Sequence, residues 1–149
     1  MVPYDRFTQA FLSKISDYNL AMLEGYQQRE LVDRFLHTAC ASFARLCKYD
    51  LTDIALDDDA RTLLTDIPEN HLGEIVDIVS TGMVVAWMNT YLYRQENLQN
   101  VLNTTDFYGY SPAELLKQIR VAHKQATETF HVAMRRYSFD NVDRRDFVI

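Results

Sequence analysis

The stretch from Leu72 to Leu92 constrains this chain most, because it is the one run that reads as apolar on nearly every face of a helix. Ile75, Val76, Ile78, Val79, Met83, Val84, Val85, Trp87, Met88, Tyr91 and Leu92 leave Asp77 as the single charge after Glu74. A helix that is hydrophobic all round is normally buried. A membrane span needs roughly 18 or more uncharged apolar residues, and Asp77, Ser80, Thr81 and Gly82 interrupt this run before that length. The expectation is a core helix with the rest of the chain packed around it.

At 149 residues, 48% of them hydrophobic, the chain fits one domain and can bury a core without disulfides or metals. Four Gly and three Pro are too few to punctuate a β-sandwich, so long uninterrupted helices are expected. A net charge of -6 argues against sequence-specific nucleic-acid binding, which requires clustered Lys and Arg. Cys40 and Cys47 on one helix would stand about 10 Å apart along its axis, beyond disulfide reach. Two free thiols suit a reducing compartment. The N-terminus carries no charged-then-apolar leader, so neither export nor a membrane is expected.

Along the chain, Tyr4, Phe7, Phe11, Ile15 and Tyr18 recur at helical spacing behind Pro3. From about Gln27, the row Leu31, Phe35, Ala39, Ser42, Leu46 and the row Val32, Leu36, Cys40, Phe43, Cys47 form one apolar stripe of a long second helix. Tyr49 to Asp66 holds six Asp against Arg61 alone and reads as a solvated connector, with one short helix at Ala60 to Leu64. The central helix then starts near Pro68 or Asn70. A short fourth helix over Leu98 to Asn103 and an aromatic loop with Phe107, Tyr108 and Tyr110 follow. Ser111, Pro112 and Glu114 form a capping box that opens the last helix. That helix keeps its period to about Tyr137. The fold expected is all-α: a single helical bundle of about four to five helices around a buried central helix (residues 1–137), with an extended C-terminal tail (residues 138–149).

Candidate chemistry is sparse. Glu128 and His131 make one Glu-x-x-His, which di-iron bundles use twice together with two further Glu. No second copy exists, and no Gly-x-Ser-x-Gly, P-loop, dinucleotide fingerprint or Cys-x-x-Cys is present. A non-enzyme without metal or cofactor is expected. Asp77 should be paired with Arg or Lys, or exposed at a helix edge, because a buried carboxylate must be paired or neutral. Trp87 is read as core. In the tail, Phe147, Val148 and Ile149 are apolar and β-favouring, so they can lie in a neighbour's groove or extend a sheet edge. Arg144 and Arg145 can pair with acidic residues of that neighbour.

Met83-Val84-Val85-Ala86-Trp87, Leu92-Tyr93, Thr105-Asp106-Phe107 and Tyr110-Ser111-Pro112-Ala113-Glu114-Leu115-Leu116 stand in an order and spacing that resembles the head-tail connector (adaptor or neck) proteins of tailed bacteriophages. The resemblance runs from about Leu31 to Phe139, is best over Met83 to Leu116 and is poor over Tyr49 to Asp66. Pro68-Glu69-Asn70-His71 departs from the Ser or Thr cap of the family pattern. The resemblance implies a structural virion subunit, made in the host cytoplasm and located in the neck. It would form a ring of about twelve copies between the portal and a stopper or tail-completion protein, with DNA free to pass through. Two other classes stand beside it: a small helical regulatory protein that binds a host or phage protein through the acidic connector, and, weaker, a carboxylate/His metalloprotein built on Glu128 and His131.

Overall fold

Helical periodicity carries most of the architecture. A computed structural model describes residues 1–15, 25–45, 51–93 and 112–141, together with Tyr49. Helix α1 (Tyr4–Lys14) buries Tyr4, Phe7 and Phe11 on one face. Asp5 in its first turn and Lys14 in its last complement the helix dipole. Helix α2 (Gly25–Ala44) buries Val32, Phe35, Leu36, Ala39, Cys40 and Phe43, the i, i+3, i+4 stripe expected of it. Leu46 and Cys47 lie outside the described residues.

Helix α3 (Glu69–Tyr93) starts one residue after Pro68, whose carbonyl accepts from the amides of His71 (2.9 Å) and Leu72 (3.0 Å). Helices α1, α2 and α4 (Pro112–Asp140) each pack against it, so α3 is the centre of the bundle. Leu72, Ile75, Ile78, Val79, Met83, Val84 and Ala86 are buried. Ser80 is fully buried as well, and its hydroxyl is satisfied by the Asp77 carbonyl at 2.9 Å. By length and composition alone, Glu69–Thr90 is apolar enough to cross a membrane, contrary to the expectation drawn from Asp77 and Ser80. In the fold, that apolar surface faces three other helices. Trp87, read as core, is only half-buried and packs against the buried cluster from outside it.

Helix α4 runs antiparallel to α3. Its Phe130 meets Gly82, whereas its later residue Tyr137 stacks edge-on with His71 near the start of α3, ring centroids 6.2 Å apart. The helix continues through Asp140, three residues beyond the boundary expected at Tyr137. The cause is local: Asn141 donates both its backbone amide (3.1 Å) and its side-chain amide (2.8 Å) to the Tyr137 carbonyl, which closes the last turn. The expected fourth helix at Leu98 to Asn103 and the aromatic loop lie outside the described residues.

The segment read as a solvated connector is folded, and the short helix expected at Ala60 to Leu64 is a turn and a strand. After a 3-10 turn at Asp53–Ala55, strand β2 (Leu56–Asp57) pairs antiparallel with β3 (Thr62–Leu63), and β3 pairs with β1 (Val2–Pro3) in the order β1-β3-β2. Val2, Leu63 and Leu56 share one row of this sheet and are all buried. Leu51, Ala55 and Ile67 are buried with them. Removing these apolar residues from water outweighs solvating the aspartates between them, because each fully buried side chain contributes about 1.5 to 3 kcal/mol.

The two glycines of α3 give the packing a direct test. A Cβ at Gly82 would lie 2.7 Å from Phe130 Cζ and 3.0 Å from Ala39 Cβ, whereas one at Gly73 meets nothing within 4 Å. Gly82→Ala is therefore expected to destabilise by about 1 to 3 kcal/mol through overpacking, while Gly73→Ala stabilises by about 0.5 to 1 kcal/mol through helix propensity. Urea melts of the two variants check the opposite signs.

Candidate functional site

The best-built polar site lies where the hairpin between β2 and β3 meets α1 and α2. Register pairs Asp57 with Thr62, so the loop holds four residues, of which Arg61 is left-handed with φ 51°. Asp57 steadies this loop by accepting from the Ala60 amide at 3.0 Å. A non-glycine residue is strained in that conformation, and the contacts of Arg61 account for its tolerance here. Its guanidinium grips Asp33 of α2 with two bonds, Nε to Oδ2 (3.1 Å) and Nη2 to Oδ1 (2.8 Å), and reaches Asp5 of α1 through Nη1 (2.9 Å). The same guanidinium stands 5.7 Å over the Tyr4 ring, and its carbonyl accepts the Tyr4 amide at 2.9 Å. One residue thereby ties the hairpin to both helices.

Beside it runs a second chain of bonds. Asp58 Oδ1 accepts from the Tyr4 hydroxyl at 2.9 Å and lies 2.7 Å from His37 Nε2. Burial tends to raise the Asp58 carboxyl, but the hydrogen bonds from His37 and Tyr4 and the positive charge available on His37 outweigh it and hold Asp58 below its ordinary value. Burial, and then the Asp58 carboxylate, push the Tyr4 hydroxyl well above its ordinary range. Tyr4 is therefore a fixed donor and not a base. The Arg61 guanidinium is raised by its bonds to Asp33, with burial opposing and Asp5 adding to the effect. A cleft of about 480 Å³ opens here, lined by Arg29, Glu30, Asp33, Arg34, His37, Asp58 and Arg61. Its charges are largely matched within the protein, Arg34 also bonding Glu30 at 2.7 Å. As arranged, the cluster is a clamp between elements.

Of the residues singled out from the sequence, Asp77 is exposed at the edge of α3, its side chain 70% accessible, and bonds Lys14 Nζ at 2.6 Å. Glu128 and Asp77 line an open groove of about 940 Å³ between α3 and α4, with Glu74, Arg136 and Asp140. Glu128 and His131 are both exposed, and among the described residues no three His, Cys, Asp or Glu side chains are grouped to hold a metal ion. Pro112 is the first residue of α4, as the capping box requires. Ser111, the Glu114 side chain, and the tail residues Arg144, Arg145, Phe147, Val148 and Ile149 lie outside the described residues. The Arg61 clamp escaped the sequence reading. Its one available signal was the lone cation in the acidic run, flanked by Leu56 and Leu63. No family model, characterised protein or solved structure matches the chain.

Two outcomes test the clamp. Arg61→Ala should cost roughly 2 to 3 kcal/mol in urea melts, since Arg61 and Asp33 side chains are only 23% and 20% exposed and Asp33 loses a charged partner. Arg61→Lys should recover only part of that, because an ammonium cannot span both Asp33 oxygens and Asp5 together. For Asp58, the depressed carboxyl contributes stability at pH values above the ordinary Asp range, about 3.9, and that stability is lost as pH falls through the lower folded value. Asp58→Asn should therefore flatten the acid limb of a plot of urea midpoint against pH, relative to the unsubstituted protein.

Proposed function

We propose that this chain is a non-enzymatic structural subunit of a tailed-phage neck, a head-tail connector that assembles as a ring between the portal and the stopper or tail-completion protein. The observation that supports the reading most is where the landmark residues of the resemblance fall. Met83 to Trp87 occupy the middle of α3, Leu92 and Tyr93 its end, and Pro112 the start of α4. These are the two long antiparallel helices that dominate the bundle. The work of the landmark residues there is mechanical: Met83, Val84 and Ala86 are buried in the core. The most elaborate polar cluster likewise joins elements of the fold. Such a division of labour suits a subunit whose product is a surface. In this reading, the tail with Arg144, Arg145 and Phe147 to Ile149 docks on a neighbour, and the virion neck is where the chain resides after synthesis in the host cytoplasm.

Two measurements decide it. The genome that encodes this chain should also encode a portal, and native mass spectrometry of the chain mixed with that portal should give a ring-sized complex. Lack of a portal gene, or a mixture that stays as separate components, sinks the reading. Deleting Asp143 to Ile149 should leave the melting temperature nearly unchanged and abolish portal binding. A truncated chain that docks normally, or one that melts markedly lower, removes the docking role of the tail.

A further inference from the structure

Helix α2 sends one titratable side chain into the junction that holds the hairpin. His37 follows Asp33 by four residues and so lies on the same helix face, where α2 offers the hairpin a carboxylate and, one turn on, an imidazole. Arg61 takes the first and Asp58 the second. Arg61 bonds both oxygens of Asp33, and His37 Nε2 stands 2.7 Å from Asp58 Oδ1. The His37 ring also meets the Tyr4 ring edge-on, centroids 6.4 Å apart, and Tyr4 donates its hydroxyl to the same Asp58 oxygen. Helices α1 and α2 thus both reach the hairpin through one carboxylate oxygen.

The two attachments of α2 differ in how they respond to pH. A guanidinium stays charged at every pH of interest, so the grip of Arg61 carries no switch. Imidazole is the side chain whose charge ordinarily changes between pH 5 and 8. As a neutral ring, His37 donates one ordinary hydrogen bond from Nε2 to Asp58. As an imidazolium it makes a charge-assisted bond to the same oxygen, which is stronger, and Asp58 is ionised throughout this range because its carboxyl is held below its ordinary value. Among the described side chains around the imidazole, α2 supplies Arg29, Glu30, Asp33 and Arg34, the hairpin supplies Asp58 and Arg61, and α1 supplies Tyr4, with Asp5 behind it at Arg61. Arg34 is paired with Glu30, Arg61 with Asp33 and Asp5, and Tyr4 keeps its proton well past this range. Asp58 is the carboxylate that the imidazole touches.

We propose that His37 makes the hairpin a pH-responsive latch, held more firmly to α1 and α2 in mildly acidic medium and less firmly above neutrality. His37 gains a carboxylate partner on folding, so its contribution is fully present below the ordinary imidazole value of about 6.5 and is lost as pH rises through the folded value. Protonation of Asp58 ends the effect on the acid side, below its ordinary value of about 3.9. The side chains are 27% and 64% exposed, and solvent screening keeps the gain to roughly two- to fivefold in the opening equilibrium. The latch uses contacts within the chain alone and stands or falls apart from the neck reading.

Native-state hydrogen exchange of the full chain reads it directly. The Tyr4 amide bonds the Arg61 carbonyl and so reports whether the hairpin is docked on α1, and the core amides of α3 serve as the reference for global opening. After correction for intrinsic exchange, Tyr4 protection relative to that reference should be roughly two- to fivefold higher near pH 5.5 than near pH 8. His37→Gln, which keeps a neutral side-chain donor, and Asp58→Asn should each abolish the difference, with folding of both checked by urea melts. Equal protection at the two pH values overturns the proposal, as does a difference that survives in His37→Gln. A second measurement needs no substitution: the His37 imidazole is followed by NMR over the same range in the unsubstituted chain. A midpoint above about 6.5 is expected, and one at or below that value overturns the latch.

Discussion

Three helices of this protein meet at one missing side chain. Gly82 lets the Phe130 ring of α4 and the Ala39 methyl of α2 reach the backbone of α3 together. Close approach of this kind is what allows α3 to be covered on three sides, and coverage on three sides is what an almost uninterrupted apolar sequence requires. The remaining core follows from it. Phe43 of α2 packs against Tyr137 of α4, ring centroids 5.7 Å apart, only because both helices lie close against the same central one. Helix α1 then fills the remaining side with Phe7 and Phe11, the latter edge-on to Phe35.

Against that frame, the helices were legible and the sheet was not. Tyr4, Phe7 and Phe11, the Val32 to Phe43 stripe, and the apolar run of α3 each repeat often enough for their period to be read without a structure. The small sheet offers two residues per strand, too few to show alternation. Its hairpin also lacks the Asn-Gly or Asp-Gly pair that announces such turns. An arginine takes the left-handed position instead, held there by carboxylates from Asp33 and Asp5, which are remote in sequence. Nothing local distinguishes that arrangement from a charged loop. The same holds for Asp58, whose partners Tyr4 and His37 come from two different helices. The end of α4 lies past the last apolar repeat for a smaller reason, a single Asn141 that satisfies the Tyr137 carbonyl.

Charge is distributed in this protein by element and not by average. The formal charge of -6 conceals an acidic hairpin segment and a basic last helix, and the two differ in how their charges are used. In the hairpin, several charges are engaged inward: Asp57 with the Ala60 amide, Asp58 with Tyr4 and His37, Arg61 with α1 and α2. On α4 the described ion pair is Arg136 with Asp140 at 3.8 Å, which is loose and solvated. The hairpin carboxylates therefore act on folding as much as on the surface, whereas the Arg136–Asp140 pair on α4 lies in solvent.

The pairing of Val2 with Leu63 has a consequence for the order in which the protein assembles. The hairpin of β2 and β3 is local and can close early, but β1 must return across both α1 and α2 to join it, and contacts so distant in sequence form late. Tyr4, the first residue of α1, donates its amide to Arg61 and its hydroxyl to Asp58 at that same junction. The start of α1 is thus fastened by a pairing whose closure spans about sixty residues of chain. Opening that junction would expose the Asp5, Asp33 and Arg61 cluster to water together with the buried Val2, Tyr4 and Leu63, so the N-terminal strand guards the clamp as well as the sheet.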